Sequence, residues 1–383
     1  MTGDTHSSTH PPLPPTTEDE RFSRLRLLRS RKVGIATYYR LMADHGSARD
    51  ALLALPEIAR AAGVSGYAPC PEPVVAAELA AGKRAGARLV HRGDHDYPKR
   101  LEVLPDAPPL FWSLGDLSML SRPSVALIGA RNASSLGLRM ATKIAEGLTE
   151  AGYVVVSGLA RGIDAVVHRA SIGSTIAVQA GGVDVLYPRE NAELAHEIAA
   201  GGLRVSEQAM GLQPQARHFP PRNRIIAGLS QGVVIVEAAL RSGSLITAEA
   251  ALAIGRDVLA VPGHPFDARA GGCNALIRDG ATLVRSVNDI LDALPPPELG
   301  TVCGTPRPPV AAAAAAPVEP AGLRGIAALH SRILDRVGHA PVAEDQLIRD
   351  LGAPAMAVAP AIVDLEVEGR LIRQPGGMIT RAV

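Results

Sequence analysis

Three segments of this 383-residue chain carry the residue types needed to grip an anion. The first is Gly129-Ala130-Arg131-Asn132-Ala133-Ser134-Ser135-Leu136-Gly137 and the second is Ser157-Gly158-Leu159-Ala160-Arg161-Gly162-Ile163-Asp164. The third is Glu237-Ala238-Ala239-Leu240-Arg241-Ser242-Gly243-Ser244-Leu245-Ile246-Thr247. Glycine admits close backbone approach, hydroxyls and free amides donate hydrogen bonds, and arginine neutralises charge. Phosphate suits such a rim. The candidate contacts are Gly129, Arg131, Ser157, Gly158, Arg161, Ser242, Gly243, Ser244 and Thr247. A fourth segment, Phe219-Pro220-Pro221-Arg222-Asn223-Arg224-Ile225-Ile226, adds a sharper set. Arg222 and Arg224 suit bidentate phosphate pairing, Asn223 a base edge or loop backbone, and Phe219 stacking on a base. The plainer reading of that segment is a core phenylalanine with arginines packed along their stems.

Other candidates are weaker. Asp164 and His168 share a helix face and resemble a catalytic or metal pair, but an aspartate there more often caps the helix while the histidine packs below. Glu237 ends a strand beside Ser242-Gly243-Ser244, a suitable place for an acid or base at a ribosyl bond, yet no second acid has a matching spacing. His264 and Cys273 stand in no motif that suggests chemistry and read as structural. No Gly-x-x-x-x-Gly-Lys-Ser/Thr run exists, and the first loop is not Gly-x-Gly-x-x-Gly. The sequence therefore implies no nucleotide cofactor, and no metal.

The elements that must hold these loops read as a doubly wound, mostly parallel α/β sheet. Apolar runs near 125–128, 153–156, 175–179, 203–206, 233–237 and 258–261 alternate with helices, the pattern of strands buried on both faces. In such a sheet, ligands sit beyond the strands' carboxyl ends, where the loops lie. Ahead of it, residues 24–62 read as short helices, followed by strands near 88–91 and 110–113. After it come three helices and a terminal hairpin, a winged helix. Proline and alanine mark the boundaries. The expected division is a disordered tail at 1–20, a helical domain at 21–73, the α/β domain at 74–294, a Pro/Ala-rich linker at 295–321 and the winged helix at 322–383. The flexible linker makes the winged helix an accessory module.

Composition limits the partners. A formal net charge of +1 excludes a uniformly basic nucleic-acid binder but leaves room for a local basic groove. One Trp, six Tyr and four Phe argue against an extended aromatic platform. No run of apolar residues is long enough to span a bilayer, and the polar N-terminus lacks a signal-peptide pattern, so a cytoplasmic protein without membrane contact is expected. Cys70, Cys273 and Cys303 form no Cys-x-x-Cys pair, which disfavours disulfides and zinc knuckles.

The ordered blocks closely resemble the bacterial DNA-processing protein family (DprA, also called Smf). They are Ala126-Leu127-Ile128-Gly129-Ala130-Arg131, Ser157 to Asp164 with His168, Tyr187-Pro188, Ser206-Glu207, Phe219 with Arg222 to Ser230, Ser242 to Ala248, and Val261-Pro262-Gly263. The likeness extends to a sterile-alpha-motif-like N-terminal unit and to the winged helix of longer members. It implies a protein without catalytic activity that binds single-stranded DNA, dimerises through the α/β domain, and loads the RecA recombinase onto incoming strands in natural transformation. This chain has Ala130 where the family's first loop usually carries threonine, one phosphate donor fewer.

Two other classes compete. An α/β group that cleaves nucleoside monophosphates uses a Pro-Gly-Gly-x-Gly-Thr-x-x-Glu loop, whereas this chain has Arg241-Ser242-Gly243-Ser244-Leu245-Ile246-Thr247-Ala248-Glu249. A transcription regulator acting through the winged helix would leave the α/β loops unexplained.

Overall fold

The computed structural model describes residues 17–295, 323–338, 340–374 and 377–382. Most of the expected tail and linker lies outside the described residues. The first helix, α1 (Glu18–Arg29), starts inside the stretch read as tail, because the Thr17 hydroxyl accepts the Glu20 amide and three acids fill the first turn. It joins α2 (Ile35–His45), α3 (Ala48–Ala61) and α4 (Glu72–Ala85) in a helical unit.

The expected boundary at 73 falls in the first turn of α4. Packing assigns this helix to the helical unit: Arg26 pairs with Glu72 at 2.7 Å, and Arg29 makes two 2.9 Å bonds to Glu78. The same Glu78 carboxylate accepts the Trp112 indole at 2.8 Å, so one buried acid ties α1 and α4 to the sheet. Gly82 allows the approach, since a Cβ there would stand 2.3 Å from the Trp112 ring.

Beyond α4, β1 (Arg88–His91) and β2 (Leu110–Gly115) form an antiparallel margin. The parallel strands are β3 (Ser124–Gly129), β4 (Val154–Ser157), β5 (Thr175–Val178), β6 (Leu203–Ser206), β7 (Gly232–Val236), β8 (Asp257–Ala260) and β9 (Thr282–Leu283). The nine-stranded order is β1-β2-β6-β5-β4-β3-β7-β8-β9. Alternation sets two cores. Val125 and Leu127 of β3 face one side with α5 (Ser135–Glu150) and α6 (Ile163–Ala170). Ala126 and Ile128 face the other with α8 (Phe219–Leu229) and α9 (Gly243–Ala253). The fold is the expected doubly wound one. The short β9 has no clear sequence signal because both of its residues are exposed.

Helix α7 (Ala192–Gly201) covers β6, and α10 (Gly271–Arg278) and α11 (Val287–Ala293) close the far side of the sheet. The winged helix comprises α12 (Leu323–Arg336), α13 (Glu344–Leu351) and α14 (Ala355–Val367), with the sheet β10-β12-β11 of Val342–Ala343, Met378–Arg381 and Leu371–Gln374. Beside the three helices and hairpin expected there, the structure adds the short β10, because Val342 and Ala343 pair with Ile379 and Met378 before α13 begins.

Replacing Glu78 by alanine takes the acceptor from the half-buried Arg29 and from the buried Trp112 indole and is expected to cost about 3 kcal/mol. Denaturant unfolding measures this, and an unchanged midpoint would show that the acid does not tie the helical unit to the sheet.

Candidate nucleic-acid interface

Strand β3 has β4 on one side and β7 on the other, all parallel, so the direction in which successive strands are added to the sheet reverses there and the loops after β3 and β7 part. That switch point is where an open α/β sheet has room for a ligand. A cleft of about 540 Å³ occupies it, and a second of about 750 Å³ lies beside it over the β4 loop. Arg131, Asn132, Ala160 and Phe219 line both.

Beneath the clefts, polar groups are committed inward. Asp164 is buried and accepts the Gly158 and Ala160 amides, both at 3.2 Å. His168 Nε2 accepts the Leu159 amide at 3.3 Å while Nδ1 meets Thr175 Oγ1 at 2.7 Å. Burial lowers the imidazole pKa to about 3, so the ring is neutral. Burial pushes the Asp164 carboxyl up, against the opposing pull of Arg222 and the loop amides. The pair thus clamps the loop: Asp164 holds amides ahead of α6 and does not cap it, since the N-cap Gly162 makes no side-chain cap bond, while His168 packs below as expected. Leu159 sits at φ 55°, a left-handed conformation held by this clamp.

Several expected contacts therefore need correction. Ser157 is fully buried in β4 and lines neither cleft. Gly158 spends its amide on Asp164, and its missing side chain serves Arg222, whose Nη1 would lie 1.5 Å from a Cβ there. Arg222 is buried beneath the crevice, its pKa lowered by desolvation to about 10 against the upward pull of Asp164, so it stays charged as floor. Arg224 is directed away from both clefts. It is buried with two carboxylates, Glu207 at 2.5 Å and Asp106 at 2.9 Å, because α8 turns this residue toward the antiparallel side of the sheet. Gly129 lines the cleft, but its lack of a side chain is required by β7: a Cβ would meet the Val236 carbonyl at 1.9 Å.

The β7 loop keeps its expected place. Ser242 caps α9 by accepting the Ser244 amide at 3.2 Å, and the Ser244 hydroxyl donates to the Gly129 carbonyl at 3.0 Å. With exposed Gly243 and buried Thr247 they line the first cleft at a helix N-terminus, where free amides favour an anion. Asn223 donates to the Gly243 carbonyl at 3.4 Å and joins the two helix starts. Helix α8 offers fewer amides itself, because Pro220 and Pro221 in its first turn have no N–H. Glu237 accepts the Ser134 amide at 2.8 Å and also bonds the Ser134 hydroxyl, which fixes the start of α5 and leaves no free acid at the strand end. Glu249 is exposed on α9 and lines neither cleft.

The rim is where cation and ring meet. The exposed Arg131 guanidinium lies 5.1 Å from the half-buried Phe219 ring centre, and Tyr187 tilts against the same ring at 6.0 Å. Among the described residues Arg131 makes no ion pair, whereas the equally exposed Arg161 is paired with Glu190. The scarcity of aromatics argued against an extended platform, and the structure builds a two-ring one. Tyr187, 48% exposed, was visible in the sequence only within the resembling Tyr187-Pro188 block. Asn191, which donates to the Leu159 and Ala160 carbonyls at 3.1 Å, carried no local signal. Nor did Arg332 and Arg336 of the winged helix, which line the second cleft. Their four-residue spacing places them on one helix face, but nothing local indicated what that face meets.

An open, mostly parallel sheet with a charged, aromatic-rimmed crevice at its switch point defines a Rossmann-like domain, here set between a helical unit and a winged helix. The family model described as DNA recombination-mediator protein A matches residues 88–295. A DprA-like N-terminal HHH domain matches 18–81 and a DprA winged helix domain matches 308–377. The chain belongs to the DprA/Smf family of DNA-processing proteins. It is 47% identical over 201 residues to DNA processing protein DprA of Streptococcus pneumoniae, covering 52% of this chain and 71% of that one. The X-ray structure of the Streptococcus pneumoniae protein superposes with a TM-score of 0.57 at 37% identity, covering 69% of this chain and 99% of that chain. A structure of DNA processing protein A from Helicobacter pylori, concerned with its single-stranded DNA binding mode, superposes with a TM-score of 0.51 at 28% identity, covering 54% and 94%.

Arg224→Ala should lower the thermal midpoint, since it strands Glu207 in a buried position at a cost of about 3 kcal/mol. Arg131→Ala should leave the midpoint in place. Calorimetry of both variants checks the assignment, and a stable Arg224→Ala protein would return that arginine to the list of surface contacts.

Proposed function

We propose that this protein binds single-stranded DNA across the switch-point crevice without catalysing a reaction on it. The observation that carries the reading is the rim of Arg131, Phe219 and Tyr187. It pairs an arginine free of carboxylates with ring faces on which unpaired bases can stack, beside the amides that open α9. The Helicobacter pylori relative, whose structure concerns single-stranded DNA binding, supports the ligand class. The family's description as a recombination mediator supports the next step, in which the bound strand is handed to the RecA recombinase in the cytoplasm during natural transformation and recombination. The proposed functional form is a homodimer through the α/β domain, which exposes Leu240 at 68% and Leu252 at 58%, side chains that a second copy would bury. Sedimentation at two protein concentrations tests that assembly, and a monomer at both would refute it.

The nucleotide-cleaving alternative needs a free carboxylate at the ribosyl bond. Glu237 is bonded to Ser134 and Glu249 lies outside the cleft, which favours the binding reading.

Single strands should bind at least about tenfold tighter than duplex, about 1.4 kcal/mol. Phe219→Leu keeps apolar volume and should lose about 1–3 kcal/mol of single-strand affinity, as expected for one stacked base. Arg131→Ala should reduce the salt slope by about 0.7. Gel-shift titrations at several salt concentrations read all three, and equal binding of duplex would overturn the reading. Incubation with AMP should release no adenine. Stoichiometric release that Glu237→Gln abolishes would favour the enzyme instead.

A further inference from the structure

The charge of the second cleft exceeds what the α/β domain supplies. Arg131, Arg161 and Arg169 come from that domain, while Arg332 and Arg336 come from α12 of the winged helix. Against these five arginines the cleft holds one carboxylate, Glu190, already engaged by Arg161. Like charges gathered in one concavity repel each other and raise its affinity for a polyanion.

The winged helix is seated against the sheet's carboxyl edge, and does not hang free as an accessory module. Arg336 Nη1 donates to the Ala133 carbonyl at 3.0 Å, in the loop that follows β3. Arg269 bonds the Asp335 carbonyl, and Leu136 at the start of α5 packs on the winged-helix core. These contacts bring the end of α12 to the β3 loop two residues beyond Arg131. Arg332 is exposed, and the bond it makes goes to the Leu351 carbonyl of its own domain.

We propose that the winged helix forms the far wall of a single-strand channel, in which Arg332 and Arg336 take the phosphates of the strand that has crossed the Arg131–Phe219 rim. This rests on the single-strand reading above and deepens it. The two clefts are continuous at that rim, and together they are larger than a site of about 300–1,000 Å³ built for one small ligand. A flexible chain of phosphates spaced along a backbone fits an open, basic, two-part groove better than a single nucleotide does.

The test uses the full chain with oligo-dT of about 5 and about 16 nucleotides, the range of single-strand site sizes. The Arg332→Ala, Arg336→Ala double variant should bind the longer strand about tenfold more weakly, with a salt slope lower by about 1.4, two contacts at about 0.7 each. The loss should be confined to the longer strand. Arg336 also holds the domain in place, so Arg332→Ala and Arg332→Lys are measured alone. Alanine should lower the slope by about 0.7 and lysine should restore it. Equal losses on both strands would show that the arginines shape the crevice and do not contact DNA, and an unchanged longer-strand slope would likewise overturn the channel. If Arg332→Ala weakens duplex binding and spares long single strands, the wall serves a different ligand and the proposal falls. Failure of the unaltered protein to bind either oligonucleotide would overturn the single-strand reading itself.

Discussion

The crevice depends on one buried arrangement, the Asp164 carboxylate under the β4 loop with the Arg222 guanidinium laid on Gly158. Asp164 draws two loop amides inward, and Arg222 lies so close to the loop backbone that only glycine fits there. A buried acid and a buried base are each costly alone, so removing either would strand the other. Their mutual placement fixes α6, the β4 loop and the first turn of α8 relative to one another. Phe219 lies one turn before Arg222 on α8, so its ring is held at the rim by a charge it does not carry. Arg131 then finds that ring at 5.1 Å.

The same arrangement sorts the arginines into those that hold the protein together and those left for a ligand. Arg222 and Arg224 are buried, while Arg204, also buried, donates to the Gln179 side chain and the Val183 carbonyl. Arg161 is exposed but paired. Arg131 and Arg332 remain exposed and free of ion pairs among the described residues. A motif with two arginines around an asparagine looks like a phosphate grip, but on a helix packed against a sheet those two positions point into the protein.

This explains what could be read in the sequence. The doubly wound sheet was legible because β3, β4 and β7 are unbroken apolar runs, a pattern set by burial on both faces. The place of the candidate cleft was legible too, since loop composition and the alternation of strands with helices both point to the carboxyl edge of a parallel sheet, where the structure has its clefts. The direction of each side chain was not. Ser157 and Arg224 belong to the right segments and face away from the clefts, and Gly158 lines the second cleft with its amide already spent on Asp164, because orientation is decided by tertiary partners: Asp106 for Arg224, Asp164 and Arg222 for Gly158. Tyr187 and Arg332 reach the clefts only through tertiary packing, which no local spacing encodes.

Charge balance sets how such a protein must recognise DNA. Residues 120–294 contain 16 basic and 15 acidic side chains, so the domain's overall field gives little steering toward a polyanion. Attraction has to arise within about a Debye length of the groove, about 8 Å at physiological ionic strength, where Arg131 and its neighbours outnumber the acids. A near-neutral domain also has little hold on duplex elsewhere, because non-specific affinity grows with the number of phosphates neutralised. On the proposed single-strand reading, discrimination for unpaired DNA would rest on what a duplex cannot present at once, a flexible run of phosphates and bases free to lie on Phe219 and Tyr187. If the strand is handed on as proposed, contacts limited to a few arginines and two rings would suit binding that is selective without being permanent.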